Sequence, residues 1–400
     1  FLENITPMEK NLPLQDGTET SSRKGLYVKT FGCQMNEWDT EKVVDMLREE
    51  YRLVASPEEA DAIFVNTCSV RDKAEHKVYS VIGTYADVKK KNPNLVIGVG
   101  GCVAQQEGAQ LLKGSKLVDF VVGTHNLSLV PSMLRQVVNS GGRHVAVDYR
   151  EEWEDLPTDF TALSKSVEGP ASQALSPVRG MVSIQRGCNK RCAFCVVPTT
   201  RGPEISRQMP EILREVRAKV TQGASEILLL GQTVNSYGKD LNPRISFAHL
   251  IEQVAGVPGV ERIRFTSPHP QDVKPDFIEL FSRIPELMPS VHLPLQSGND
   301  RILGLMNRNY RRKRYLDIVR ALRDAVPNIS ITSDIIVGFP TESEEDFQDT
   351  LEIMDLVRYQ CSYSFIYSPR PNTVAVNAFT PQEHIDHEVA TDRLIRLQNF

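Results

Sequence analysis

Cys188, Cys192 and Cys195 fall within eight positions of "RGCNKRCAFCVVPTTRG" (186–202). Spacings of four and three residues suit neither a disulfide framework nor the paired C-x2-C hooks of a structural zinc site. Three thiolates can instead hold a four-iron cubane and leave one iron free to bind something else. Gly187 and Asn189 suit the turning backbone that such a loop needs. A zinc site that borrows a distant fourth ligand is the alternative left open here.

Three more cysteines, Cys33, Cys68 and Cys102, stand 35 and 34 residues apart, too far for a local knot. Each closes an apolar run, in "KTFGCQMN", "VNTCSV" and "GVGGCVAQ". One strand-and-helix unit fits each interval, so all three thiols should emerge at the same edge of one parallel sheet. Gly32, Gly100 and Gly101 would let the backbone approach a bulky ligand. The trio reads as a second cubane with an open iron. Small apolar cysteines filling strand ends, or zinc with His76 or His125 as a fourth ligand, are the other readings. Cys361 is the leftover; it opens "CSYSFIY" without a partner and is expected in the core.

Composition narrows the setting. Among 400 residues there are seven cysteines, no apolar signal core, and no apolar run near the roughly 18 residues of a membrane span. That combination argues for metal or redox chemistry in the cytoplasm rather than for disulfides. A net charge of −5 and a pI of about 6.0 exclude a protein that coats nucleic acid through its overall charge. Any RNA contact must come from a local patch. Arg308, Arg311, Arg312, Lys313 and Arg314 in "RNYRRKR" (308–314) are the candidate, with a solvated helix start as the plain alternative.

The elements that must position these residues are alternating strands and helices. "LYVKTF" (26–31), "AIFVNT" (62–67), "LVIGVGG" (95–101), "DFVVG" (119–123) and "HVAV" (144–147) read as buried parallel strands. "DTEKVVDMLREE" (39–50) is a helix between two of them. Residues 149–178, acidic and then rich in Ser, Pro, Ala and Gly, read as a linker. A second series follows: "MVSIQ" (181–185), "EILLLG" (226–231), "RIRFT" (262–266), "SVHLPL" (290–295), "ISITSDIIVG" (329–338) and "SYSFIY" (362–367). Six strands at this spacing suggest a parallel barrel or a partial one. Polar clusters with Gly or Pro follow these strands, at the edge where α/β active sites assemble.

Cys188-x3-Cys192-x-Phe194-Cys195 at the head of a six-strand α/β series resembles the radical S-adenosylmethionine (SAM) enzymes. The resemblance implies that the open iron chelates the amino and carboxylate groups of SAM, and that reduction yields a 5′-deoxyadenosyl radical. It implies that Phe194 packs beside the SAM adenine. Gly231, Gln232 and Asn235 of "GQTVN" would meet the methionine end, and Ser267, Gln296 and Val337 would complete the pocket.

Two separate trios together resemble the methylthiotransferases, over about residues 25–400. "KTFGCQMNEWDTE", "NTCSVRDKAE", "GVGGCVAQQEG", "RGCNKRCAFCVVP", "TRGPEISR" and "FIYSPRPNT" are similar to the MiaB branch in particular. Thr199 stands where that family commonly shows an aromatic residue. The fold implied is α/β: an N-terminal Rossmann-like parallel domain (25–148) and a radical SAM partial (β/α)6 barrel (179–400), joined by the linker and preceded by an extended or disordered segment (1–24). The family's C-terminal TRAM β-barrel is not expected in this chain, which stops at "RLIRLQNF" where that barrel would begin. The implied reaction is C2 methylthiolation of N6-isopentenyladenosine at position 37 of tRNA, with two 4Fe–4S clusters, one SAM as methyl donor and one as radical source. The implied partners are that tRNA, an electron donor such as flavodoxin or ferredoxin, and a sulfur source, for a monomeric enzyme away from membranes. Rival readings are a sister enzyme acting on threonylcarbamoyl-adenosine or on a ribosomal-protein aspartate (RimO-like), and a non-catalytic metal-bound RNA-binding module.

Overall fold

A computed structural model describes residues 23–69, 74–154, 156–157 and 178–399, without the side chains of residues 74–76. The expected N-terminal segment and most of the linker lie outside the described residues, as does the His76 side chain.

Six parallel strands form the first sheet: β1 (Lys24–Thr30), β2 (Tyr51–Leu53), β3 (Ala62–Thr67), β4 (Val96–Gly101), β5 (Phe120–Val122) and β6 (His144–Ala146). Their spatial order is β2-β1-β3-β4-β5-β6. Every residue of β3 and β4 is buried, as both faces of a parallel sheet require when helices cover them. The sequence reading misses β2, whose three residues give too little periodicity to register.

The second half begins at β7 (Arg179–Ser183). A short antiparallel pair follows, β8 (Gln185–Arg186) with β9 (Ile205–Ser206), and brackets the cysteine loop. Then come β10 (Glu226–Leu230), β11 (Arg262–Phe265), β12 (Ser290–His292), β13 (Ser330–Val337) and β14 (Cys361–Ile366). The barrel is partial and has a seam: β11-β10-β7 and β12-β13-β14 are separate parallel sheets. Along β13, Ile331, Ser333, Ile335 and Val337 are buried against the helices, while Thr332, Asp334 and Ile336 face the concave side and are half-buried.

The two halves share a core. Met181, Leu228 and Leu230 of the barrel pack with Met35, Trp38, Val43 and Leu47 of helix Gln34–Leu47. That helix starts five residues earlier than the sequence pattern marks. It is buried around most of its girth, including Asn36, Asp39, Glu41, Lys42 and Asp45, because sheet and barrel grip opposite faces. The buried charges are matched across the joint: Lys42 Nζ lies 2.9 Å from Glu215 Oε1, and Lys219 Nζ 2.7 Å from Glu41 Oε2.

One expectation is corrected. Cys361 is exposed rather than in the core, because it starts β14, along which alternate residues face solvent. The first residues of the expected linker are packed in place. Trp153 lies 6.4 Å from the ring of Trp38, and Glu154, only 3% exposed, accepts a hydrogen bond from the Ser128 amide at 2.8 Å.

Candidate active site

Cys33, Cys68 and Cys102 follow β1, β3 and β4, which are neighbours in the sheet, so the three thiols do emerge at one edge. A buried amide network ties those strand ends together. Asn36 Nδ2 donates to the carbonyls of Phe31 (2.9 Å) and Thr67 (2.7 Å). Asn66 Nδ2 donates to the Asn36 carbonyl at 2.8 Å. Thr67 Oγ1 donates to the Gly100 carbonyl at 2.6 Å and accepts from the Val103 and Ala104 amides. Gly32 has φ 116°, and a Cβ there would stand 2.6 Å from Cys68 Cβ and 3.0 Å from its sulfur. Only glycine permits both the turn and that approach.

Burial pushes the Cys102 thiol up; the Arg201 guanidinium pulls it down, and Cys68 and Cys33 push it up again. His125 is not a spare ligand for this trio. Its Nε2 donates to the Arg201 carbonyl at 2.8 Å and its Nδ1 accepts from the Arg150 amide at 3.3 Å, and burial lowers its pKa to about 4.

The barrel trio sits on the loop between β8 and β9. Gly187 (φ 73°) turns the chain so tightly that a Cβ would meet the Pro203 carbonyl at 1.9 Å. Cys188 sulfur lies 3.1 Å from Thr233 Oγ1 and accepts from the Lys190 amide at 3.4 Å. Arg308 Nη1 donates to the Cys192 sulfur at 3.3 Å. Backbone hydrogen bonds at 2.8 Å, Ala193 N–H to Met306 and Ala375 N–H to the Ala193 carbonyl, pin the middle of the loop. Burial pushes the Cys195 thiol up to about 12, with Cys192 adding to the effect.

Both trios fit a cluster. Burial pushes the Cys102, Cys188 and Cys195 thiols up, so a bound metal would have to displace their protons. Among the described residues no three His, Cys, Asp or Glu side chains converge tightly enough to hold a single metal ion. Thiolates that each bind a different iron need not converge in that way.

The candidate SAM residues are placed unevenly. Gly231 and Gln232 follow β10, and Gln232 Oε1 is buried without a hydrogen-bond partner. Phe194 is half-buried and packs against the apolar cluster of Ala193, Ile302, Met306 and Phe339, as does Ile336. Ser267 (φ 53°) and Gln296 (φ 75°) both hold turned backbone, and Gln296 pairs with β13 through the Asp334 carbonyl and the Ile336 amide. Two candidates are already engaged within the protein. Asn235 uses its amide to tie His269, accepting from its N–H at 2.9 Å and donating to its carbonyl at 3.0 Å. The Val337 side chain is fully buried on the helix-facing side of β13, so the alternation of the strand turns it away from the concave face.

The basic stretch does not act as one patch. Arg308 is 5% exposed and faces inward to Cys192, Tyr310 and the Pro294 carbonyl. Arg312 pairs with Asp349 and Glu352, and Lys313 with Asp317. Arg311 and Arg314 donate to backbone carbonyls and stay exposed. Sequence reasoning also missed roles for Asn36, Thr67, Thr233 and Arg201, each of which lies inside or beside a motif that the cysteines had already drawn out.

Residues 25–123 match the model of the "Uncharacterized protein family UPF0004", and residues 182–354 that of the "Radical SAM superfamily". A protein of Geobacter metallireducens named tRNA-2-methylthio-N(6)-dimethylallyladenosine synthase is 47% identical over 381 residues, covering 95% of this chain and 83% of its own length. The protein of that name from Nitrosomonas europaea is 44% identical over 379 residues, covering 93% and 82%. Among solved structures, the radical SAM methyltransferase TsrM from Kitasatospora setae matches with a TM-score of 0.65 at 11% identity, over 88% of this chain and 74% of that one. The cobalamin-dependent radical SAM enzyme OxsB matches at 0.55 and 14% identity, over 83% and 52%. The structural likeness speaks for the fold, and the sequence likeness for the family. The chain belongs to the tRNA-2-methylthio-N(6)-dimethylallyladenosine synthases, radical SAM methylthiotransferases whose cofactors are 4Fe–4S clusters and SAM.

Proposed function

We propose that this chain replaces the C2 hydrogen of N6-isopentenyladenosine at position 37 of tRNA with a methylthio group. The observation that carries the reading is two separate thiol trios, one at the edge of the sheet and one on the barrel loop, in a chain 47% identical to an enzyme named for that product. Cys188, Cys192 and Cys195 would hold one 4Fe–4S cluster, and Cys33, Cys68 and Cys102 the other. When bound, these clusters would pass on the electron and hold the incoming sulfur, and two molecules of SAM would supply the carbon radical and the methyl group.

The residues of the chain bind, orient and enclose. Adenine C2–H is unactivated toward ordinary base catalysis, so the protein's contribution is placement rather than proton transfer. The Thr233 hydroxyl and the Lys190 amide stand against the Cys188 sulfur, where they work against its burial, and Arg308 donates to the Cys192 sulfur. The unpartnered Gln232 oxygen suits the amino group of SAM, and Phe194 offers an apolar wall for its adenine. Residues 25–148 and 179–400 would act as two domains. The enzyme would work as a monomer in the cytoplasm, with a donor such as flavodoxin or ferredoxin and a separate sulfur source. No helix among the described residues is long and apolar enough to cross a membrane.

Anaerobic incubation with SAM, reductant and isopentenylated tRNA, followed by nucleoside analysis, tests the reading. The expected product is 2-methylthio-N6-isopentenyladenosine. Modification of threonylcarbamoyl-adenosine or of a ribosomal-protein aspartate in its place would sink it.

A further inference from the structure

Arg201 comes from the barrel half, yet its side chain is committed to the other trio. It closes the short helix Val197–Arg201, six residues beyond Cys195, and is only 4% exposed. Its Nη2 donates to Asp39 Oδ2 at 2.7 Å and to Asn36 Oδ1 at 2.8 Å. Asn36 is the residue whose amide ties the ends of β1 and β3, so the guanidinium reaches the centre of that network. Cys33 Sγ lies 3.7 Å from that same Asn36 Oδ1, and the guanidinium charge pulls the buried Cys102 thiol down.

Its backbone is held from the same side. Thr124 Oγ1 donates to the Thr200 carbonyl at 2.7 Å, and His125 Nε2 to that of Arg201 at 2.8 Å; both come from the loop after β5. Burial works against the charge of Arg201, but Asp39, Cys102 and Cys33 outweigh it and hold the guanidinium firmly protonated. A fully desolvated guanidinium this far from the surface is otherwise expensive.

We propose that Arg201 is a positioning residue for the N-terminal cluster site: it presents one buried positive charge to Cys33 and Cys102 and locks their site to the loop that carries the barrel trio. A thiolate-held cluster is net negative, and its reduction potential follows local charge and hydrogen bonding. Within a low-dielectric joint, one fixed charge beside the sulfurs acts strongly. The barrel thus completes a site whose thiols all come from the sheet. The inference rests on the reading that Cys33, Cys68 and Cys102 hold an iron–sulfur cluster.

The test uses the full chain with Cys188, Cys192 and Cys195 changed to Ala, reconstituted anaerobically, so that cluster iron reports the N-terminal trio alone. Iron per chain and the reduction potential are measured for this parent and for Arg201→Met, Arg201→Lys and Asp39→Asn made in it. Arg201→Met should shift the potential negative and lose iron several-fold faster to a chelator. Arg201→Lys should fall between it and the parent. Asp39→Asn leaves Arg201 uncompensated and should shift the potential in the opposite, positive direction. Should Arg201→Met fail to fold, Asp39→Asn and Arg201→Lys decide the matter. A side chain that only fills space would not produce shifts of opposite sign. If the parent holds iron and neither Arg201→Lys nor Asp39→Asn moves its potential, the inference is overturned while the cluster reading stands. A parent that binds no iron overturns both.

Discussion

The two thiol trios are built by opposite means. The barrel trio occupies eight consecutive positions, and its geometry is held by a tight turn at Gly187 and by backbone bonds around Ala193. The N-terminal trio is scattered over 70 positions and exists only when β1, β3 and β4 lie side by side. One is a property of a loop, the other of a folded sheet. Their electrostatic partners differ in the same sense. Arg308 reaches Cys192 from within the same barrel, whereas Arg201 reaches the N-terminal site from across the joint. The loop trio is therefore the more autonomous, and the sheet trio depends on the joint being intact.

Deleting each trio in turn gives the largest expected effects and tests that asymmetry directly. Changing Cys188, Cys192 and Cys195 to Ala should abolish release of 5′-deoxyadenosine as well as tRNA modification. Changing Cys33, Cys68 and Cys102 to Ala should abolish methylthio product yet leave 5′-deoxyadenosine release, with iron falling by about half. Full iron and normal tRNA modification in the second variant would make those cysteines structural.

The joint is the next place to strike. Glu215 is fully buried and receives Trp38 Nε1 at 3.0 Å, Lys42 Nζ at 2.9 Å and the Arg207 guanidinium. Burial alone would raise its pKa, but Lys42, Arg207 and Lys219 overcome this and hold it at about 2, below its ordinary 4.5. A depressed carboxyl stabilises the fold fully above pH 4.5, and that contribution is lost as pH falls toward 2. Glu215→Gln leaves Lys42 and Arg207 buried without their anion and should cost about 3–5 kcal/mol. Thermal or urea unfolding of the cluster-free chain measures the loss, and the variant should lack the wild type's decline in stability between pH 4.5 and 2. Equal stability, or an unchanged acid limb, would mean that the joint is not held by these charges.

The same asymmetry explains what could be read from the sequence. Six barrel strands, five of the six sheet strands and both trios are legible, because apolar runs and cysteine spacing are local or nearly periodic signals. The topological step from strand ends to a shared sheet edge also works, since βα units repeat at a regular length. What is not legible depends on packing between the halves. Nothing near Arg201 or Glu215 in the chain announces that a charged side chain will be buried, because Asn36 and Asp39, which pair Arg201, and Trp38 and Lys42, which cover and pair Glu215, lie about 160–180 positions away. Arg308 misleads for the same reason, since the cations beside it in sequence lie at the surface while its own guanidinium reaches Cys192, 116 positions away.

That contrast within one basic stretch yields the smallest effect and the finest test. If Arg308 serves the barrel trio, Arg308→Met should slow 5′-deoxyadenosine release and alter the barrel cluster's potential, while tRNA affinity keeps its salt dependence. Arg311 and Arg314 are exposed and donate only to carbonyls at 2.9 Å, which leaves their charge available to phosphate. Changing both to Gln should weaken tRNA binding a few-fold at moderate salt. The slope of log K against log salt should then shrink by about 0.7–0.9 for each phosphate no longer neutralised. Release of 5′-deoxyadenosine without tRNA should not change. Arg312 and Lys313 are already paired with Asp349, Glu352 and Asp317, so neutralising them should move the slope less. Binding titrations across a series of salt concentrations separate these cases. An unaltered slope for the Arg311/Arg314 pair would return the stretch to a solvated helix start.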